Sequence, residues 1–312
     1  MSTKTQAAAP AVQRRGKTVV QRIAENWQLY ALLLIPLLLT FIYKYIPMYG
    51  IQIAFRDFKA SRGIWGSEWV GLEWFERFFT APTCARMIKN TFLLALYSLL
   101  WSFPIPIVLS LCINQLRFQR YKRVVQTILY APHFISTMVI CGMIRIFLSP
   151  SGGLINLLLG TSIDFLTESS AFRTIYIASG IWQDAGWGCI IYLATLSNVD
   201  TSLYEAAKVD GASVFQRIMN IDIPELMPMA ILNLIMSAGG LMNIGFEKVW
   251  LLQTDLNKAT SDVIAVYVYQ QGIENAKYSY STAVGLFNTA INLILLFVVN
   301  KIASKTSDVD FV

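Results

Sequence analysis

The chain has 312 residues and a net charge of +6; 55% of its residues are hydrophobic, only 14% are charged, and its mean hydropathy is +0.51. Soluble domains carry about a quarter charged residues, so this composition excludes an ordinary soluble enzyme or binding domain and points to a chain embedded in lipid. The positive charge does not point to nucleic acid, because the Lys and Arg residues gather beside apolar runs and no nucleic-acid-binding module accompanies them.

Residues 1–26 read as a polar, basic tail with Arg14, Arg15, Lys17 and Arg22. It is expected to be a flexible tail and signal anchor rather than a signal peptide, since the first apolar run is long and has no small-residue cleavage site behind it. A bilayer core about 30 Å thick takes ~20 helical residues to cross, and six runs reach membrane length. They are Trp27 to Tyr43, Thr91 to Leu116, Val124 to Ile144, Thr174 to Val199, Leu226 to Phe246 and Tyr278 to Asn300. Lipid offers backbone groups no partners, so each run is expected to be a helix. Val263 to Ile273 is too short to span and is expected at the outer interface or as a re-entrant segment.

Loop charges set the expected orientation. Arg117, Arg120, Lys122 and Arg123 fill the second connection, which places it and the basic N-terminus in the cytoplasm. Alternation then puts Cys84 in the first outer loop, the loop containing Glu205 inside, and the C-terminus, with Lys301 and Lys305, inside as well. The expected organisation is a tail at 1–26, a membrane domain at 27–303 with a cytoplasmic loop at 200–225, and a tail at 304–312.

Polar residues inside spans are costly where they face lipid, so they mark either a pathway or helix packing. Asn233, Ser237, Gly240, Asn243 or Ile244, and Glu247 recur at helical steps in the fifth run, and Ser281, Gly285, Asn288 and Asn292 do so in the sixth. In the fourth run Trp182, Gln183, Asp184 and Trp187 combine aromatic faces with hydrogen-bonding groups, the mixture a sugar needs; interface anchoring competes for Trp182. Arg145 and Glu247 fall near helix ends, where long side chains snorkel. The single histidine, His133, follows Pro132 and reads as a packing or hydrogen-bonding residue. No disulfide, metal-ligand or catalytic spacing is present, and there is no phosphate-binding Gly-x-x-x-x-Gly-Lys-Ser/Thr loop, so the chain is expected to bind neither metal nor nucleotide itself.

Between the fourth and fifth runs lies a polar island, Tyr204-Glu205-Ala206-Ala207-Lys208-Val209-Asp210-Gly211-Ala212, followed by Ile221-Asp222-Ile223-Pro224. Its chemistry predicts a short helix, a turn at Gly211 and a second helix. Ser202 with Glu205 and Ser213 with Gln216 have capping-box spacing, and Pro224 is expected to fix where the next element begins.

Glu205, Ala206, Ala207, Gly211, Ile221 and Pro224 match the cytoplasmic loop pattern of the membrane subunits of bacterial ABC importers, with Ile223 where that pattern usually has Leu. Asp210 and Ala212 beside the glycine resemble the carbohydrate-uptake branch. Tyr130 to Ser136 and Ser149 to Asn156 are similar to its polysaccharide and complex-oligosaccharide permeases. The resemblance implies an all-α, six-span membrane subunit with the type I ABC importer permease fold, in the bacterial cell membrane with both termini cytoplasmic. It also implies a second, homologous permease chain, an extracellular solute-binding protein, and two ATP-binding cassette subunits that hold ATP and Mg. The helix Leu203 to Val209 would dock into a groove of an ATPase subunit. The alternatives are a type I permease for another solute, such as an amino acid, phosphate or metal, or a secondary transporter working without ATP, which inverted repeats or a chain of intramembrane acids would favour.

Overall fold

The computed structural model describes residues 25–306, with side chains described through residue 301. Arg14, Arg15, Lys17 and Arg22, the final residues of the C-terminal tail and the side chain of Lys305 lie outside the described residues. The described residues divide into two compact units, with the boundary between Gln52 and Ile53.

In the first unit, helix α1 (Trp27–Thr40) continues through a π turn, Phe41–Tyr45, into Ile46–Met48. Pro47 follows this π turn and favours it, although Pro36 is accommodated within regular helix in α1. The Pro47 ring would collide with the carbonyl four residues earlier, at Tyr43, and one additional residue in the turn relieves that contact.

The second unit begins with a two-residue antiparallel hairpin, β1 (Arg56–Asp57) and β2 (Glu68–Trp69), in which Arg56 faces Trp69. A short helix, α2 (Glu73–Thr80), leads to α3 (Cys84–Asn114), a 31-residue helix. The helix starts at Cys84, well before the expected Thr91. Its first turns are polar and so escape an apolar-run reading, yet they are held inside the protein. Arg86 pairs with Asp262 at 2.7 Å, the Asn90 amide donates to the Ala259 carbonyl at 2.9 Å, and Thr91 Oγ1 accepts from the Ile264 amide at 2.9 Å. Cys84 is therefore a buried helix residue, 5% exposed, and not part of an outer loop.

The third expected span is broken. Helices α4 (Gln119–Phe134) and α5 (Thr137–Phe147) meet at 97°. Ile135 and Ser136 are extended, and the Ser136 hydroxyl accepts from the Val139 amide at 3.4 Å, which starts a new helix where the apolar run reads as continuous. After α6 (Leu154–Leu159), α7 (Ser169–Ser197) runs for 29 residues. Helices α8 (Thr201–Val209) and α9 (Val214–Gly239) follow. Then come α10 (Phe246–Leu252), α11 (Lys258–Ser261), α12 (Ile264–Tyr269) and α13 (Tyr278–Thr306).

Among the described residues four helices are long and apolar enough to cross a bilayer alone: Trp27–Phe55, Cys84–Asn114, Val214–Gly239 and Tyr278–Lys301. The bent α4 and α5 pair adds a fifth if it is one span. Helix α7 matches their length but is more polar, with Gln183 and Asp184 near its middle. Six spans are consistent with this layout.

Helix α7 packs along the Pro104–Asn114 half of α3 and against α4, while α9 packs on α13. At Gly186 a Cβ would stand 1.9 Å from the Leu129 carbonyl oxygen, so only glycine lets α4 and α7 approach this closely. A core cluster joins Leu94, Cys141, Phe172, Val249 and Val263 across five segments of the chain. Val263, Ile264 and Val266 are fully buried whereas Ile273 is exposed, so the start of the stretch expected at the outer interface or as a re-entrant segment packs inside the protein.

Candidate functional site

The 200–225 loop is built from backbone chemistry. Asp200, not Ser202, caps α8: its Oδ1 accepts from the Ser202 amide at 2.9 Å. That bond holds the exposed carboxyl of Asp200 below its usual range. The expected Ser202 and Glu205 capping box therefore does not form, because the amide that Glu205 would reach is already taken. Glu205 is exposed and makes no hydrogen bond or ion pair among the described residues.

At the other end of α8 the Ala212 amide donates to the Ala207 carbonyl at 2.8 Å and the Gly211 amide to Lys208 at 3.1 Å. These paired bonds are the Schellman stop, which needs a left-handed residue, and Gly211 supplies it at φ +75°. The second box does form. Ser213 Oγ accepts from the Gln216 amide at 3.3 Å, and Gln216 Oε1 accepts from the Ser213 amide at 2.8 Å.

Pro224 stands in the first turn of the α-helical stretch Ile223–Gly239, as expected, but that stretch continues an earlier helix and is no separate element. Helix α9 runs from Val214 through Pro224, with a π turn at Ile218–Asp222 that spans Asn220, the residue whose carbonyl the Pro224 ring would strike. Ile221 and Asp222 sit within this turn. Ala206, Asp210 and Pro224 are exposed, whereas Ala207 and Ala212 are half-buried. The loop also leaves apolar side chains in the open: Val209 is 88% and Phe215 70% exposed, with Leu203 near them in sequence. Beneath α8 is a cavity of about 700 Å³ that Arg117, Lys208 and Arg217 share with Glu205.

Two further cavities, of about 420 and 590 Å³, share Ser98, Ser102, Tyr176 and Gly245 as walls. Asn233, Ser237, Tyr192 and Asn243 line the first; Gln183, Asp184, Glu247 and Lys248 line the second. The helical stripe expected in the fifth run ends at Gly239, where α9 stops, so Asn243 lies in the connecting segment and Glu247 on α10. Gly240 and Asn243 nevertheless return to the same cavity as Asn233.

Asn288 does not line these cavities. Its amide approaches Asn243 Oδ1 at 3.4 Å, and Asn292 donates to the same oxygen at 2.9 Å while accepting from the Met242 amide at 2.8 Å. Asn288 and Asn292 of the α13 stripe thus tie down the segment after α9, while Ser281 donates to the Val268 carbonyl. Trp182 is half exposed, and Trp187 stacks flat on His133 with ring centres 4.4 Å apart; neither lines the two cavities. His133 Nδ1 meets Asp184 Oδ1 at 2.9 Å, so the histidine positions a cavity carboxylate. Arg145 is exposed and donates to the Leu251 carbonyl.

Lys248 escaped the sequence reading. It is 8% exposed, forms no ion pair among the described residues, and holds its ammonium 5.2 Å from the Tyr176 ring centre. Its signal is a Glu-Lys pair set inside an apolar stretch, a costly placement at membrane depth. The cavities together offer hydroxyls, amides, aromatic faces and both signs of charge, which suit a polar solute rich in hydroxyl groups.

Residues 32–308 match the family described as the binding-protein-dependent transport system inner membrane component. Protein LplB of Bacillus subtilis (strain 168) is 42% identical over 285 residues, covering 90% of this chain and 89% of LplB. The polygalacturonan/rhamnogalacturonan transport system permease protein YteP of the same organism is 40% identical over 311 residues, 96% of this chain and 97% of YteP. Among solved structures, a bacterial alginate ABC transporter in complex with an alginate pentasaccharide-bound periplasmic protein superposes with a TM-score of 0.85 at 36% identity, covering 94% of this chain and 99% of its counterpart. With the match along nearly its whole length and the type I importer architecture around these cavities, the chain belongs to the family of inner-membrane permease components of binding-protein-dependent ABC transporters.

Proposed function

We propose that this chain is the membrane permease subunit of an ATP-driven importer for oligosaccharides or glycan fragments. The observation behind this reading is the end-to-end similarity to YteP and to the alginate transporter, two proteins named for polysaccharide transport. The cavities lined by Asn233, Asn243, Gln183, Asp184 and Glu247 form part of the pathway, and Trp182, Trp187 and Asn288 support it from the side.

A second, different permease chain completes the pathway, and a solute-binding protein delivers substrate from outside. Two ATPase subunits bind ATP and Mg. Their grooves receive α8, with Glu205 pairing to a basic ATPase residue and Val209 and Phe215 burying their exposed faces. ATPase closure then turns the membrane helices between outward and inward access. Both termini and the 200–225 loop are cytoplasmic. This subunit performs no chemistry of its own.

Purification of the complex from its native membrane tests the reading. It should bring down two ATPase subunits, a second permease and a glycan-binding protein, and the isolated chain should hydrolyse no ATP. Copurification with an amino-acid-, phosphate- or metal-binding protein would move the substrate to that class, and hydrolysis by the isolated chain would end the assignment of a non-catalytic subunit.

A further inference from the structure

Among the described residues only two charged side chains are buried, Lys248 and Asp222. Asp222 is 0% exposed and forms no ion pair among the described residues. A buried carboxylate is costly unless its oxygens accept hydrogen bonds, and both of these do. Oδ1 accepts from the Tyr204 hydroxyl on α8, and Oδ2 accepts from Gln115 Nε2, 2.9 Å away, at the end of α3. Asp222 itself lies on the π turn of α9. One carboxylate therefore joins three elements: α8, the end of the long helix α3, and the start of the long helix α9.

We infer that Asp222, with Tyr204 and Gln115, is the clasp through which movement of α8 reaches the membrane helices. The inference rests on the reading that α8 docks to an ATPase. Without the Tyr204 hydroxyl, which also meets the Asn114 side chain at the end of α3, α8 loses this side-chain link and keeps the Gly211 turn as its backbone connection to α9. With the clasp, displacement of α8 draws on α3 and α9 together. The π turn is part of the device, since Asp222 ends it as its one fully buried residue, between half-buried Ile221 and Ile223, while Met219 and Asn220 earlier in the turn are exposed. Burial, and next to it the Asp222 carboxylate, raise the Tyr204 hydroxyl far above the ordinary tyrosine range, which keeps it a donor at any physiological pH.

The test compares Tyr204→Phe, Gln115→Leu, Asp222→Asn and Asp222→Ala in the whole complex, purified and placed in lipid vesicles with its binding protein. Two quantities are read: ATPase subunits recovered per permease, and substrate taken up per ATP hydrolysed. The clasp predicts normal recovery with uptake per ATP lowered at least about five-fold, the low end of site-to-site coupling factors. Asp222→Asn, which keeps an acceptor oxygen for Tyr204, should fall between wild type and Asp222→Ala. The Tyr204→Phe and Gln115→Leu double variant should be no worse than the poorer single one, because either cut opens the same link.

Wild-type uptake per ATP in Tyr204→Phe and Gln115→Leu overturns the proposal. Failure to recover assembled complex from Tyr204→Phe, which loses a single oxygen, also overturns it and leaves Asp222 as a folding residue of the loop. Glu205→Gln separates this from the docking reading: retained ATPase subunits in that variant would count against docking through Glu205, while the clasp is judged only by uptake per ATP.

Discussion

Glu205 and Gly211 lie six residues apart in the same loop and are expected to fail in different ways. Glu205 has no partner among the described residues, so Glu205→Gln removes a charge without disturbing α8, whose cap is Asp200. The variant should fold and reach the membrane normally. Loss of a charge-assisted contact should weaken ATPase binding by about 1 to 3 kcal/mol, read as ATPase subunits released on dilution or in salt. Gly211→Val acts through the backbone. No atom lies within 4 Å of where its Cβ would stand, so the cost is the left-handed conformation at φ +75° and not a clash. About 1 to 2 kcal/mol of strain in the turn is expected, seen as faster proteolysis of the loop at unchanged stability of the membrane domain.

At the scale of elements, Pro224 shapes α9 by opening a π turn, as Pro47 does for the helix after α1. Pro224→Ala removes the ring that disfavours regular α-helical geometry at Asn220 and restores a backbone N–H. The helix is then free to close the π turn and rotate Asp222 away from Tyr204 and Gln115, so the variant should match Asp222→Ala in uptake per ATP while remaining folded. Wild-type uptake per ATP would show that the π turn does not depend on the proline.

Helix existence was legible in the sequence because membrane spans announce themselves as apolar runs. Their ends were not. Helix α3 begins in polar residues that make sense only once Asp262, Ala259 and Ile264 are packed against them, and those partners are far away in the chain. The 97° break between α4 and α5 has only Pro132 and Ser136 as local signals, inside a run that reads as continuous. In the loop, the Gly211 stop and the Ser213 box were legible because capping is local chemistry. The Ser202 box failed against a stronger competitor, Asp200, two residues earlier. The cavity residues on α7 and α9 were legible as polar groups in apolar surroundings, whereas Lys248 and Asp222 are defined by what folds around them.

For the whole molecule, membrane sidedness follows from the proposed orientation. Single cysteines placed between Lys208 and Gln216 should react with an impermeant reagent only from the cytoplasmic face. Cys84 should react from neither face in the folded protein, because it is buried. Reaction of the loop from outside would invert the topology.

The account as a whole holds that the 200–225 loop converts ATP hydrolysis into movement of a glycan through the cavities beside α7 and α9. ATP-driven uptake of labelled oligosaccharide by vesicles holding the complete complex and its binding protein measures this directly. Wild type should accumulate the glycan only with ATP and Mg. Gly211→Val should lose most of that uptake while retaining a folded, membrane-inserted complex. Accumulation without ATP, or uptake in Gly211→Val equal to wild type, would contradict it.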